Sequence, residues 1–323
     1  MTEPGTSMNF SHIGELAQCG ISSAAVAVGV FDGVHKGHQK LLTELLTVSK
    51  ELNAVPIVMT FYPHPRSLLT KNPPTLLYPP SEKLRLLHEY GAKAVVTVDF
   101  TPEFSRLTPL DFLEQSIFAG PVSVRGICVG KHWRFGAKAA GDAAFLEALS
   151  AECGFHFSAV EELCMDSGQV VSSTAIREAV ADGDLELAEK MLGRRYALFG
   201  TVKHGYKAAG EKLKAPTANL KITDGVLPRF GVYAAFAYLP SGERFPAAVN
   251  IGISPTFREQ YGEIAPRVEV HLLNGFHGDL YGRKLKLELV GFVRGERTFA
   301  GAEELKQQIG RDIVRITELL ERS

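Results

Sequence analysis

"AVGVFDGVHKGHQKLL", residues 27–42, is the stretch whose reading decides the fold. An apolar run closes on Gly29, Gly33 and Gly37, as a buried strand does on entering a turn. "HQKLLTELLTVSKEL" (38–52) then carries the apolar spacing of an amphipathic helix. That helix is predicted to begin near Gly37, which puts His35 just before it and His38 in its first turn. Unsatisfied N–H groups and the positive end of the helix dipole gather at such a point. Glycines there let an anion approach the backbone closely. Two imidazoles so placed can donate hydrogen bonds to phosphate oxygens and to charge developing in a displacement. A pair of loop histidines satisfied by their neighbours is the plainer alternative. The string is neither G-x-x-x-x-G-K-[ST] nor G-x-G-x-x-G.

Outward from this turn, short apolar runs alternate with helical patterns. "AAVAVGV" (24–30), "PIVMTF" (56–61), "AKAVVTV" (92–98), "RGICVG" (125–130) and "FHFSAV" (155–160) read as strands. "SEKLRLLHEY" (81–90, Ser81 as N-cap), "PLDFLEQSI" (109–117) and "DAAFLEALSAE" (142–152) read as helices. Near-continuous apolar strands between helices predict an α/β domain with a mostly parallel sheet covered on both faces, its ligand beyond the carboxyl ends of the strands. Residues 1–20 read only as a variable lead-in. From about Tyr196 the texture changes. "ALFGTV", "GVYAAFAYL", "FPAAVNIG", "RVEVHLL" and "KLKLELVGFV" are strand candidates, with no helical pattern before "AEELKQQIGRDIVRITELLER" (302–322). This predicts an antiparallel β-barrel or sandwich with a C-terminal helix. "GDLELAEKMLGRR" (183–195) bridges the two parts, so the domains are read as 1–190 and 191–323.

Composition narrows the function. The 323 residues are 45% hydrophobic and 22% charged, and 35 Lys plus Arg against 36 Asp plus Glu leave a net charge of −1. A nucleic-acid surface or a polybasic membrane anchor would show as a basic excess. Cys19, Cys128, Cys153 and Cys164 form no C-x-x-C pair, so buried reduced thiols are expected rather than zinc or disulfides. With no signal-peptide pattern and no apolar run of transmembrane length, the expected location is the cytoplasm.

A second element bears on the same chemistry. In "VSSTAIREAV" (171–180), Ser172, Ser173 and Thr174 make a hydroxyl-rich helix start, with Arg177 one turn inside. A simple Ser/Thr cap with a solvated arginine gives the same string. Beside His35 and His38, a phosphate-clamping arginine is the preferred reading. The histidine turn resembles the H-x-G-H signature of the nucleotidyltransferase superfamily. "GVFDGVHKGHQ", "FYPHPRSLL" (61–69), "EKLRLL" (82–87), "WRFGAKAAGD" (133–142), "SSTAIR" and "LGRRYALFGTV" (192–202) stand in the order found in prokaryotic bifunctional riboflavin kinase/FMN adenylyltransferases. That resemblance implies a Rossmann-like nucleotidyltransferase domain followed by a riboflavin kinase barrel. It also implies that FMN and ATP give FAD and pyrophosphate, with Mg²⁺ bridging phosphate oxygens.

By the same resemblance, His35 and His38 hold the triphosphate and Arg177 neutralises the departing pyrophosphate. Gly29, Phe31, Asp32, Gly33 and Gly37 shape the ATP-binding turn, with Ser172, Ser173 and Thr174 also toward ATP. His64 and Arg66 in "FYPHPR" are candidates for the flavin phosphate, although the prolines fit a rigid loop equally well. Phe135, with Trp133, either stacks on a flavin or fills the core. Lys131 and His132 depart from the acidic and Asn/Asp residues usual before this motif.

The carboxyl-terminal part resembles the riboflavin kinase module through "PTANL" (216–220), "GVYA" (231–234), "NIGISPTF" (250–257), "VEVHLL" (268–273), "DLYG" (279–282) and "FVRGERTF" (292–299). The implied reaction is riboflavin plus ATP giving FMN. A neutral hydroxyl attacks, so a base helps, and Glu269 is the carried-over candidate. Thr217 and Asn219 are carried over as the Mg²⁺ and ATP ligands, and Arg294 as a flavin contact. "GEKLKAPTAN" (210–219) departs from the usual G-R-x-L-G-F-P-T-A-N, with Glu211 for arginine, Lys214 for glycine and Ala215 for phenylalanine. Lys203, Lys207, Lys212 and Lys214 offset the reversed charge or form a solvated basic loop. The alternatives are a monofunctional FMN adenylyltransferase with a kinase-inactive flavin-binding barrel, another H-x-G-H transferase, and a non-enzymatic flavin- or nucleotide-binding regulator whose barrel binds RNA or a partner. The expected partners are the small molecules ATP, riboflavin and FMN, with no nucleic acid or membrane.

Overall fold

A computed structural model describes residues 10, 12–203, 217–253, 266–273, 276, 278 and 280–323. It divides into two compact units, Met1–Pro74 with Pro80–Val171, and Thr75–Pro79 with Ser172–Ser323.

The first unit is built on five parallel strands, β1 (Ser23–Val28), β2 (Val55–Tyr62), β3 (Ala94–Asp99), β4 (Ser123–Gly130) and β5 (His156–Val160), in the order β3-β2-β1-β4-β5. Between them run α1 (Lys36–Glu51), α2 (Pro65–Leu69), α3 (Pro80–Glu89), α4 (Pro109–Phe112) and α5 (Ala143–Cys153). β1 is the central strand and is buried along nearly its whole length, which is why its sequence shows no polar alternation. The chain steps from β1 to β2 and β3 on one side, then returns to β4 and β5 on the other. The carboxyl end of β1 therefore lies at the reversal of strand order, where open α/β sheets bind their ligands.

The second unit opens with α6 (Ser173–Asp182) and α7 (Leu185–Leu192). A closed antiparallel barrel follows: β6 (Ala197–Lys203), β7 (Thr217–Asp224), β8 (Gly231–Tyr238), β9 (Arg244–Ile253), β10 (Pro266–Leu272) and β11 (Lys284–Arg294), in the order β10-β7-β6-β11-β8-β9. α8 (Ala302–Glu321) packs Ile316 and Leu320 on Val232, Ala234 and Phe236 of β8, which explains why that strand is apolar on both faces. Buried Tyr196 donates its hydroxyl to the carbonyls of Leu77 (3.3 Å) and Val226 (3.0 Å), fastening the Thr75–Pro79 segment into this unit.

Several expectations are corrected. The barrel has a sixth strand, β7, whose "TANLKITD" was read as a motif and not as a strand. Ser81 is not an N-cap: α3 starts at Pro80, whose fixed φ suits the first helical position. The predicted 109–117 helix changes at Leu113 into a π-helical turn. Part of the lead-in belongs to the core, since Ile13–Cys19 forms a 3₁₀ helix with Ile13 and Leu16 fully buried. Only Cys128 is a buried thiol, pushed up to about 12 by desolvation; Cys19, Cys153 and Cys164 are exposed and free.

Candidate active site

The turn after β1 is an unusual piece of backbone. Phe31 (φ 55°), Gly33 (φ 79°) and Val34 (φ 40°) are all left-handed, and a β-branched residue pays heavily for that conformation. Three contacts hold it. Thr60 Oγ1 donates to the Val30 carbonyl at 3.0 Å, Gln39 Nε2 donates to the Val34 carbonyl at 2.9 Å, and the buried Phe31 ring packs against Gly29. A Cβ on Gly29 would stand 3.1 Å from that ring.

His35 is the N-cap of α1, and its Nδ1 accepts from the His38 backbone N–H at 3.4 Å. The two imidazoles stack with centroids 3.6 Å apart and planes 20° apart, and Phe31 tilts against His38 at 5.2 Å. His35 is 6% exposed and Asp32 4%. Gly37 leaves room for the stack: a Cβ there would come within 3.1 Å of the His35 ring. The sequence thus builds a stacked histidine pair at the N-terminus of a sixteen-residue helix, beyond the carboxyl end of the central strand.

Lys83 of α3 was quoted within "EKLRLL" but given no role. Its ammonium donates to Thr60 Oγ1 (3.1 Å) and to the carbonyls of Val30 (3.3 Å) and Phe61 (3.5 Å). Burial pushes its pKa down to about 8, against the attraction of Asp32.

Other first-unit candidates fall into different surroundings. His64 caps α2, its Nδ1 accepting from the Arg66 backbone N–H at 3.1 Å, while Arg66 itself is exposed. Phe135 is 7% exposed and lies in the core beside Phe112, Phe145 and Trp133, stacked on the last at 4.6 Å. Trp133 retains the more accessible ring. Lys131 pairs with Glu161 at 2.5 Å on the surface.

In the second unit, Ser172 caps α6 by accepting from Ala175 N–H at 3.2 Å, with Ser173 and Thr174 in the first turn. Arg177 is anchored through Nε to the Thr75 carbonyl at 2.8 Å. On the barrel, Val268, Val270 and Leu272 of β10 point into the core, while Arg267, Glu269 and His271 take the opposite face. Glu269 lies opposite Asn219 in the ladder, is paired with Arg267 at 3.2 Å and accepts from Asn250 Nδ2 at 3.5 Å. Arg267 also donates to Asn219 Oδ1. Arg267 and Asn250 were missed by sequence reasoning; the two-residue strand period that places Arg267 beside Glu269 was the available signal. Arg294 is engaged by the Asp312 carboxylate of α8 at 2.9–3.1 Å. Thr217 starts β7, and Lys207, Glu211, Lys212, Lys214 and Ala215, the "SPTF" half of "NIGISPTF" and Asp279 of "DLYG" lie outside the described residues.

A doubly wound sheet with a histidine-capped turn at its switch point, joined in one chain to a closed barrel, is the architecture of a two-module nucleotide-using transferase. The family models agree: that of FAD synthetase matches residues 20–175, and that of riboflavin kinase matches residues 192–320. A curated bifunctional riboflavin kinase/FMN adenylyltransferase from Escherichia coli is 38% identical over 302 residues, covering 93% of this chain and 94% of the relative. One of the same description from Bacillus subtilis is 34% identical over 295 residues, covering 90% of each. A solved structure described as a macrolide-efflux protein from Streptococcus pneumoniae superimposes with a TM-score of 0.81 at 27% identity, covering 94% of this chain and 96% of that one. The chain belongs to the bifunctional riboflavin kinase/FMN adenylyltransferase family. Among the described residues, no helix is long and apolar enough to cross a membrane.

Proposed function

We propose that this chain phosphorylates riboflavin to FMN and adenylylates FMN to FAD, releasing pyrophosphate, with residues 1–190 serving the second reaction and 191–323 the first. The observation that carries the reading is the stacked His35–His38 pair at the head of α1. In adenylylation, an FMN phosphate oxygen attacks the α-phosphorus of ATP. The bond to the bridging oxygen breaks, and its electron pair leaves on pyrophosphate. The nucleophile is already anionic, so positioning and charge stabilisation suffice without a strong base. His35 and His38 hold the triphosphate, Ser172, Ser173 and Thr174 offer donors, and Arg177 meets charge on the leaving group. His64 and Arg66 are assigned to the flavin phosphate.

In the kinase half, the riboflavin hydroxyl attacks the γ-phosphorus and Glu269 takes its proton. Arg267 and Asn250 hold the carboxylate in place. Among the described residues no cluster of three or more His, Cys, Asp or Glu could cage a metal. The Asn219 amide oxygen, the Thr217 hydroxyl and the phosphates themselves are hard donors that suit a magnesium ion sharing its shell with substrate and water. Bound there, Mg²⁺ would neutralise phosphate charge. ATP-dependent flavin synthesis and unpaired cysteines suit a cytoplasmic protein.

The test is incubation of the full chain with riboflavin, ATP and Mg²⁺, resolving products by chromatography. FMN followed by FAD is expected. FAD made from supplied FMN but not from riboflavin would leave only the adenylyltransferase; matches to both family models favour the bifunctional outcome.

A further inference from the structure

The turn proposed to bind a triphosphate contains a buried carboxylate. Asp32 sits between two left-handed residues, 4% exposed, in the loop that carries His35. A buried negative charge beneath an anion site repels the ligand strongly, because little solvent screens it. The fold brings the Lys83 ammonium to this place, where it feels the Asp32 charge and donates to oxygens at the ends of β1 and β2. Thr60, wholly buried, receives Lys83 and passes a hydrogen bond on to Val30, the residue that enters the turn.

We propose that Lys83 is a positioning residue for adenylyl transfer: it cancels Asp32 and ties β1 to β2 beneath the histidine turn, so that the turn accepts the ATP phosphates. The inference rests on the function proposed above. Lys83 does not touch the reacting atoms; it sets the charge and shape of the surface that does.

The experiment compares wild type, Lys83→Met, Asp32→Asn and Asp32→Asn/Lys83→Met as full chains, measuring KM for ATP and kcat for FAD formation from FMN. Riboflavin phosphorylation by the barrel is the internal control. In Lys83→Met, KM for ATP should rise roughly tenfold or more, with kcat changed by less than about threefold and riboflavin phosphorylation unchanged. The double variant removes both charges, and should recover most of the KM lost in Lys83→Met. A merely structural lysine would give no such recovery. Lys83→Met with the wild-type KM overturns the proposal, as does a double variant no better than Lys83→Met. Should Lys83→Met fail to fold, Lys83→Arg decides. Retained charge should keep KM for ATP within about threefold, and a tenfold rise overturns the proposal. A wild-type chain that makes no FAD from FMN and ATP removes the functional reading and this inference together; FAD from wild type with an unchanged Lys83→Met removes this inference alone.

Discussion

Asp312→Ala should loosen α8 from the barrel. The Asp312 carboxylate, 9% exposed, accepts from Arg294 Nε at 2.9 and 3.1 Å, from Arg294 Nη2 at 2.9 Å and from Gln308 Nε2 at 2.8 Å. Breaking a buried pair from one side strands the other charge, at a cost of about 3–5 kcal/mol. Arg294 is 22% exposed and keeps the Gly295 carbonyl at 3.0 Å, which places this case near the lower end, about 3 kcal/mol. In a unit of this size each kcal/mol moves Tm by roughly 2–4 °C, so the barrel transition should fall by roughly 6–12 °C. Calorimetry reads that transition. The single tryptophan, Trp133, lies in the first unit, so its fluorescence follows the other half and should not move. Replacing both partners, Arg294→Met with Asp312→Leu, should return stability to within about 1 kcal/mol of wild type. The same double variant decides what Arg294 does for flavin. As a strut it leaves the riboflavin KM unchanged, whereas a flavin contact would raise that KM although the fold is recovered. A drop under about 2 °C in Asp312→Ala would refute the strut argument.

Gly37→Ala should raise helix propensity by up to about 1 kcal/mol while crowding the His35 ring, so FAD formation falls roughly tenfold as thermal stability holds or rises; unchanged turnover would refute the stacked-pair assignment. Lys83 has a native pKa of about 8 against an ordinary 10.5, and Asp32 is the charged group that faces it. Above pH 8 the unfolded chain holds the proton that the native state has lost. First-unit stability should therefore rise by up to about 2 kcal/mol between pH 7.5 and 9.5. Urea titration followed by Trp133 should show that rise in wild type and not in Lys83→Met. Glu269→Gln should cut riboflavin phosphorylation by roughly a hundredfold or more while FAD formation from supplied FMN persists, and loss of both would point to misfolding. Chelation of divalent cations should stop both reactions and added Mg²⁺ restore them, read by the same chromatography.

What could be read from sequence followed from periodicity and local capping. β1 and α1 announced themselves because burial on both faces of a central strand, and one buried face of a helix, leave unmistakable apolar spacing. His35 and His38 were legible for a related reason: helix starts are written locally, and the N-cap is one residue from where the glycine pattern put it. β7 was missed because "PTANL" was read as a motif, although Ala218, Leu220 and Ile222 alternate with Asn219, Lys221 and Thr223 at the two-residue strand period. Lys83 was missed for another reason. Its ordinary place in an amphipathic helix hides that α3 delivers its ammonium to the ends of two strands far away in the chain. Arg177 and Arg294 were singled out in the sequence, but their partners were not: Thr75 is 102 residues from Arg177, and Asp312 lies on α8. A motif names the residues that meet a substrate. The charges that hold those residues in place are set by tertiary contacts, and no spacing rule records them. That is why the turn could be recognised without its carboxylate being counted as a liability, and why Lys83, rather than another histidine or arginine of the motif, is where the sequence reading is most exposed to test.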